Sequence, residues 1–317
     1  MSTRKAQLKT GFIAGLKSGW RSFVWMCEIV IPISFLVTLL QWSGWLDKID
    51  FVLNPLMSFL HLPSQAALPI ISGMLINIYA VIAVVTVLPF TAAQMTLIAI
   101  FTLICHNLIM EGIVQYRSGI NVIKATLTRI TAAVLTVFVV SQFFGDTSHS
   151  IVMSSALPTH TPLLDIMTTW ARDTGILLLK VFGIIMFIML LLEISRVLGW
   201  IDRVLIVFKP MMRVLGLSGR TAIMFVAGII FGLLYGGAII VAEGKKGILT
   251  REEVEYLHVS LGINHAMIED PALFAVLGVN IFWLWIPRLI MAIIAVQVYR
   301  GIRYLRKTRL PWFSQSK

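Results

Sequence analysis

Apolar residues fall into eight long runs separated by short polar breaks. The first four cover Phe23–Trp42, Gln65–Phe90, Ala92–Tyr116 and Val122–Phe144. The second four cover Gly175–Leu198, Thr221–Val241, Val254–Gly278 and Ile281–Val298. Several approach the roughly 20 apolar residues that a helix needs to cross a bilayer, so the pattern predicts membrane-spanning helices. Between the two sets, Gly145 to Thr174 is polar, almost without basic residues, and holds Pro158 and Pro162. It reads as a linker.

The two sets are copies of one another. "GWLDKIDFVLNPLMSFLHL" (44–62) matches "GWIDRVLIVFKPMMRVLGL" (199–217) at a shift of 155, with Pro55 on Pro210 and, further on, Gly73 on Gly228. Later the shift grows. At 159, His106 falls on His265, Asn121 on Asn280 and Arg129 on Arg288, whereas at 158 Asn107 falls on His265 and Glu111 on Glu269. Both registers stay open. Self-similarity of this length marks an internal repeat.

Composition agrees with the pattern. Apolar residues make up 58% of the 317-residue chain and charged residues 13%, which is a polytopic membrane protein rather than a soluble domain. A net charge of +11 could point to nucleic acid, but 16 of the 26 basic residues cluster before Phe23, from Arg196 to Arg220, and from Arg300 onward. That is the footprint of cytoplasmic segments, so no nucleic-acid partner is expected. Cys27 and Cys105 both lie in apolar runs, so no disulfide framework is expected.

Both basic termini are therefore expected in the cytoplasm, in the manner of a bacterial inner-membrane protein. Asp47-Lys48-Ile49-Asp50 is net acidic and its repeat partner near Arg196–Arg220 is basic, so the same element lies on opposite faces in the two halves. That predicts an inverted-topology repeat. Each half must then cross an odd number of times, and its glycine-bearing second run becomes a re-entrant hairpin. The expected fold is an all-α polytopic membrane protein of two inverted repeats, about six transmembrane helices plus two re-entrant hairpins. Its parts are a cytoplasmic amphipathic lead-in (1–22), repeat 1 (23–144), an extracytoplasmic linker (145–174), repeat 2 (175–299) and a basic cytoplasmic tail (300–317).

Polar chemistry concentrates in the third run of each half, "LICHNLIME" (103–111) and "LGINHAMIED" (261–270). Ionisable groups at membrane depth are costly and mark substrate, ion or proton paths. His106, Asn107, Glu111, Asn264, His265, Glu269 and Asp270 are the candidates, with a helix break expected where Pro271 follows Asp270. The structural alternative is a hydrogen-bond network between packed helices. Arg129 and Arg288 form a second symmetric pair, needing either a carboxylate partner or an anionic ligand at that depth. In the hairpins, Asn77, Tyr79 and Tyr235 are candidate lining residues. A metal reading rests on Cys105, His106, His265 and Glu269 with Asp270 nearby, although adjacent Cys105 and His106 cannot point the same way on a helix. No nucleotide loop, catalytic triad or zincin motif is present, so no enzyme and no resident cofactor are expected.

The proline before "FLHL" or "VLGL", the hairpins "SGMLINIYAVIAVV" and "AGIIFGLLYGGAIIV", and the segment "NHAMIEDPALFAVLG" resemble the nucleoside-recognition, or Gate, family. That family includes concentrative nucleoside transporters, the membrane domain of bacterial ferrous-iron transporters, and the spore maturation A and B proteins. The resemblance implies two inverted hairpin-plus-helix units around a central site, and, by analogy, a homo-oligomer in the lipid bilayer. The leading expectation is a permease for a small polar solute, of nucleoside-like kind, coupled to an ion or proton through the His/Asn/carboxylate cluster. A divalent-metal permease and a non-transporting membrane assembly or regulatory subunit are the alternatives.

Overall fold

The structure, a computed structural model, describes residues 2–44, 57–144, 162–200, 208, 210–245 and 249–309. Among them there are helices and no strand. In chain order these are α1 (Ser2–Trp42), α2 (Ala67–Leu75), α3 (Ile78–Val85), α4 (Ala92–Ile104), α5 (Leu108–Arg117) and α6 (Val122–Ser141), followed by α7 (Leu163–Val197), α8 (Ala222–Lys245), α9 (Arg251–Ile263), α10 (Glu269–Val276) and α11 (Ile281–Arg309). Five stretches are long and apolar enough to cross a membrane: 7–42, 92–117, 122–141, 163–197 and 281–305. The α9–α10 stretch, which opens on Arg251-Glu252-Glu253, is not among them.

Two boundaries differ from the sequence expectation. The lead-in and the first span are one continuous helix, α1. The helix α7 begins at Leu163, so the second half of the expected linker is helical. Hydrogen bonding of Leu163–Thr174 within α7 outweighs its weak apolar signal. The acidic stretch Asp47–Asp50 lies outside the described residues.

Helices α1 and α7 pair antiparallel along a glycine seam. A Cβ at Gly11 would meet Val197, one at Gly15 would sit 2.8 Å from Leu190 Cα, and one at Gly19 would sit 2.6 Å from Met186 Sδ. Glycines four apart share one helix face, which lets two backbones approach without any polar contact. Toward the other end, Trp170 Nε1 donates to Ser34 Oγ at 3.1 Å and its ring packs on Phe35. The fourth-run helices α6 and α11 also cross antiparallel: Thr128 bonds Tyr299, while Phe144 packs on Trp283.

Backbone conformation repeats as the sequence does. Left-handed residues occur in pairs 155 apart at Gly44/Gly199 and His61/Gly216, and 159 apart at Asn107/Ala266 and Gly119/Gly278. Thr91 and Thr250, also 159 apart, each form a capping box, with Gln94 and Glu253 respectively, and so start α4 and α9 alike. The hairpins break at equivalent places. Asn77, extended, accepts from Ala80 N to cap α3, and Gly232 at φ 78° kinks α8.

Each third run breaks as well, between α4 and α5 and between α9 and α10. The freed amides are not left dry. Asn107 N donates to Gly73 O at 2.8 Å, Ala266 N to Gly228 O at 3.1 Å and Met267 N to Ile229 O at 2.8 Å. Hairpin carbonyls thus satisfy the break, which a buried backbone requires. Tight packing permits it: a Cβ on Gly73 would lie 2.6 Å from Val81, and one on Gly228 2.7 Å from Leu261. In the second half the break spans Asn264–Ile268, ahead of the expected position. Pro271 sits in the first turn of α10, where its missing N–H costs nothing.

Candidate functional site

The two breaks bring His106 and His265 face to face. His106 Nδ1 lies 2.9 Å from Thr102 O and His265 Nδ1 2.7 Å from Leu261 O. A carbonyl only accepts, so each Nδ1 carries the proton. In the neutral ring that leaves both Nε2 atoms as lone pairs, and they converge at 3.3 Å. Carboxylates complete the cluster, each reaching the histidine of the other half. Glu111 Oε1 is 3.1 Å from His265 Nε2 and 3.6 Å from His106 Nε2, and Asp270 Oδ2 is 3.5 Å from His106 Nε2. All four side chains are buried.

The arginines brace this cluster from behind. Arg129 Nε donates to Ile104 O at 2.9 Å, its Nη2 to His106 O at 2.7 Å and its Nη1 to Glu111 Oε2 at 2.7 Å. Arg288 repeats the first two contacts, to Ile263 O at 3.3 Å and His265 O at 2.8 Å. Its Nη1 has no partner. The reason is one methylene. At a shift of 159 Glu111 falls on Asp270, whose shorter side chain reaches His106 but not the guanidinium as well. The expected carboxylate partner is therefore present for Arg129 and absent for Arg288 among the described residues. Every one of these equivalences runs at 159, so the His106/His265 register is the structural one here.

The other candidates take different places. Glu269 accepts from Tyr79 OH at 2.6 Å, tying α10 to the first hairpin, and does not join the histidines. Cys105 is buried and does not belong to the group of ligand atoms that come together around His106 and His265. Asn77 caps a helix, and Asn107 and Asn264 sit at the breaks with Oδ1 atoms buried and unpartnered. The side chain of Tyr235 lies outside the described residues. Sequence reasoning missed two buried polar groups, Gln115 and His258. The signal was present in the spacing Glu255, His258, Gly262, which places a histidine on one helix face just before the apolar end of α9.

Chemically, the cluster suits a cation. His106, His265 and Asp270 offer ligand atoms that all lie within 4.8 Å of one another. Ligands about 2.1 Å from a tetrahedral metal stand about 3.4 Å apart. The three separations among His106, His265 and Glu111 are 3.3, 3.1 and 3.6 Å. Nδ1–H bonds to carbonyls are the usual outer support of metal-binding histidines. A cavity of about 400 Å³ lies elsewhere, between α1, α7 and the ends of α3 and α10, and is lined by Thr38, Gln41, Trp170 and Lys180 but by none of the cluster.

Residues 23–145 match the family model Gate, described as nucleoside recognition. Over that stretch the chain is similar to the Gate family. It is 26% identical over 292 residues to the uncharacterized membrane protein YvoD of Bacillus subtilis, covering 90% of this chain and 93% of that one. It is 23% identical over 199 residues to the Fe(2+) transporter FeoB of Methanocaldococcus jannaschii, covering 57% of this chain and 30% of that protein's length. No solved structure matches. The Gate match runs from within α1 to the end of α6, and the chain is a membrane protein similar over part of its length to a transporter.

Proposed function

We propose that this protein is a permease for a divalent transition-metal cation, held transiently by His106, His265, Asp270 and Glu111. The observation that carries the reading is the pair of imidazoles whose Nδ1 protons are tied to carbonyls while their Nε2 lone pairs converge at 3.3 Å. Two lone pairs so placed repel each other unless a proton or a metal lies between them. Imidazole and carboxylate donors suit Fe²⁺, Mn²⁺ or Zn²⁺. Similarity to an Fe(2+) transporter supports the same class. The small-solute reading draws less support, since the cavity between α1 and α7 does not include the cluster. The antiparallel pairing of equivalent helices supports two inverted repeats alternating around this site. The basic residues at Lys124 and Arg303, at the α9 N-terminal end, support a cytoplasmic face there in a bacterial inner membrane.

The test is Co²⁺ titration of the purified protein in detergent, followed by metal-quenched dye uptake in proteoliposomes. Wild type should develop a tetrahedral-type visible band and take up metal. His106→Ala and His265→Ala should lose both. A well-folded wild type with neither band nor uptake removes the metal reading.

A further inference from the structure

Two unexplained polar groups lie along the chain from the cluster, Gln115 about one helix turn after Glu111 and His258 about two turns before His265. His258 is 2% exposed, and neither ring nitrogen has a hydrogen-bond partner. Gln115 is 1% exposed, and its Nε2 has none. An imidazole always presents at least one N–H, so His258 leaves a donor and either an acceptor or a second donor dry. Native interiors retain such groups when water or an ion satisfies them.

Their placement is not scattered. Gln115 follows Glu111 by one turn of α5, and Glu255, His258 and Gly262 share one face of α9. Gln115 Nε2 stands 3.7 Å from where a Cβ on Gly262 would be, and Arg129 Cδ stands 3.3 Å from it. Gly262, having no side chain, lets Arg129 of α6 and Gln115 of α5 lie against α9, one turn from His258. At the far end of the same face Glu255 takes Lys124 and Arg303. The stripe therefore runs from the central carboxylate to the charged end of α9.

The symmetry-related stripe is closed. At the 159 shift Gln115 falls on Phe274, His258 on Ala99 and Gly262 on Leu103, all apolar and fully buried. The two halves therefore differ along this face, polar in one copy and apolar in the other.

We propose that His258 and Gln115 form a second, one-sided station for the hydrated cation, on its way between the central cluster and the α9 N-terminal end. The proposal rests on the metal reading for its cargo, but the hydration of the station stands apart from it. The imidazole and the amide meet the cation's water shell rather than the metal, since one neutral histidine and an amide make a poor inner shell. Phe274 and Ala99 keep the opposite passage dry in this conformation.

Two measurements test it. In a background of Cys27→Ser and Cys105→Ala, His258→Cys and Ala99→Cys are reacted with a small methanethiosulfonate, which modifies hydrated thiols. His258→Cys should react at least tenfold faster than Ala99→Cys, and equal slow rates would overturn the station. In proteoliposomes His258→Leu should cut Co²⁺ uptake about tenfold while Co²⁺ affinity at the cluster stays within about twofold. His258→Gln should restore most of the flux. Normal flux through His258→Leu overturns the cargo role. Fast thiol reaction with no Co²⁺ band in wild type removes the metal reading and leaves the hydrated station standing.

Discussion

Arg129 and Arg288 occupy equivalent positions, yet their removal should cost different amounts. Arg129 makes three charge-assisted bonds, including the 2.7 Å contact to Glu111, whose side chain is 2% exposed. Arg129→Met leaves that carboxylate buried without its counter-charge, a loss of about 3–5 kcal/mol. Arg288 makes two bonds to carbonyls and carries an Nη1 that nothing meets. Arg288→Met sacrifices those two bonds but also relieves a buried, uncompensated donor, for a net cost on the order of 1–2 kcal/mol. At roughly 2–4 °C per kcal/mol for a larger domain, Arg129→Met should lower the melting midpoint by about 10 °C and Arg288→Met by about 4 °C. The assay is thermal unfolding in detergent with a chelator present, so that metal binding does not contribute. Glu111→Gln added to Arg129→Met should recover half or more of the loss, because the stranded charge is gone. Equal losses for the two arginines, or no recovery in the double variant, would refute the reasoning.

Two further outcomes follow from packing and capping. Gly15→Leu forces α1 off α7, because its Cβ alone would lie 2.8 Å from Leu190 Cα; it should cost about 1–3 kcal/mol by thermal unfolding, whereas Gly175→Leu, with nothing within 4 Å, should be silent. At the start of α9, burial pushes the Glu253 carboxyl up, but Ser218, the Thr250 amide and hydroxyl, and Arg220 together hold it below the usual carboxylate range. A lowered folded-state value means the cap stabilises above about pH 4.3 and fades as pH falls through that lower value. Thr250→Ala should therefore cost about 1 kcal/mol at neutral pH, and Glu253→Gln should flatten the acid limb of the melting curve between pH 5 and pH 3.

The repeat was legible because helix propensity, left-handed turns and caps are local: Thr91 and Thr250, or Gly119 and Gly278, announce the same structure twice. The histidine pair was legible as a pair but not as a geometry. Whether 158 or 159 relates the halves depends on where each helix breaks, and the break is fixed by carbonyls of Gly73, Gly228 and Ile229, far away in sequence. Pro271 looked like the break because proline is the local signal, while the decisive amides belong to Ala266 and Met267. The split between Arg129 and Arg288 likewise hides in Glu111 versus Asp270, a one-carbon difference that matters only once the reach to both histidine and guanidinium is known.

The helix α1 has 41 residues, and so is about 60 Å long at 1.5 Å per residue. A hydrocarbon layer of about 30 Å takes up roughly 26 of those residues even at a steep 40° tilt. On the order of 15 residues must therefore stand in the headgroups or in water, and the basic end with Lys5 and Lys9 is the end that belongs there. Because Gly11, Gly15 and Gly19 clamp this stretch to α7, it is a stiff double rod rather than a tether. Any load applied to the emergent rod is carried along α1 into the bilayer, where Trp25 rests edge-on against Tyr79, the residue that holds Glu269.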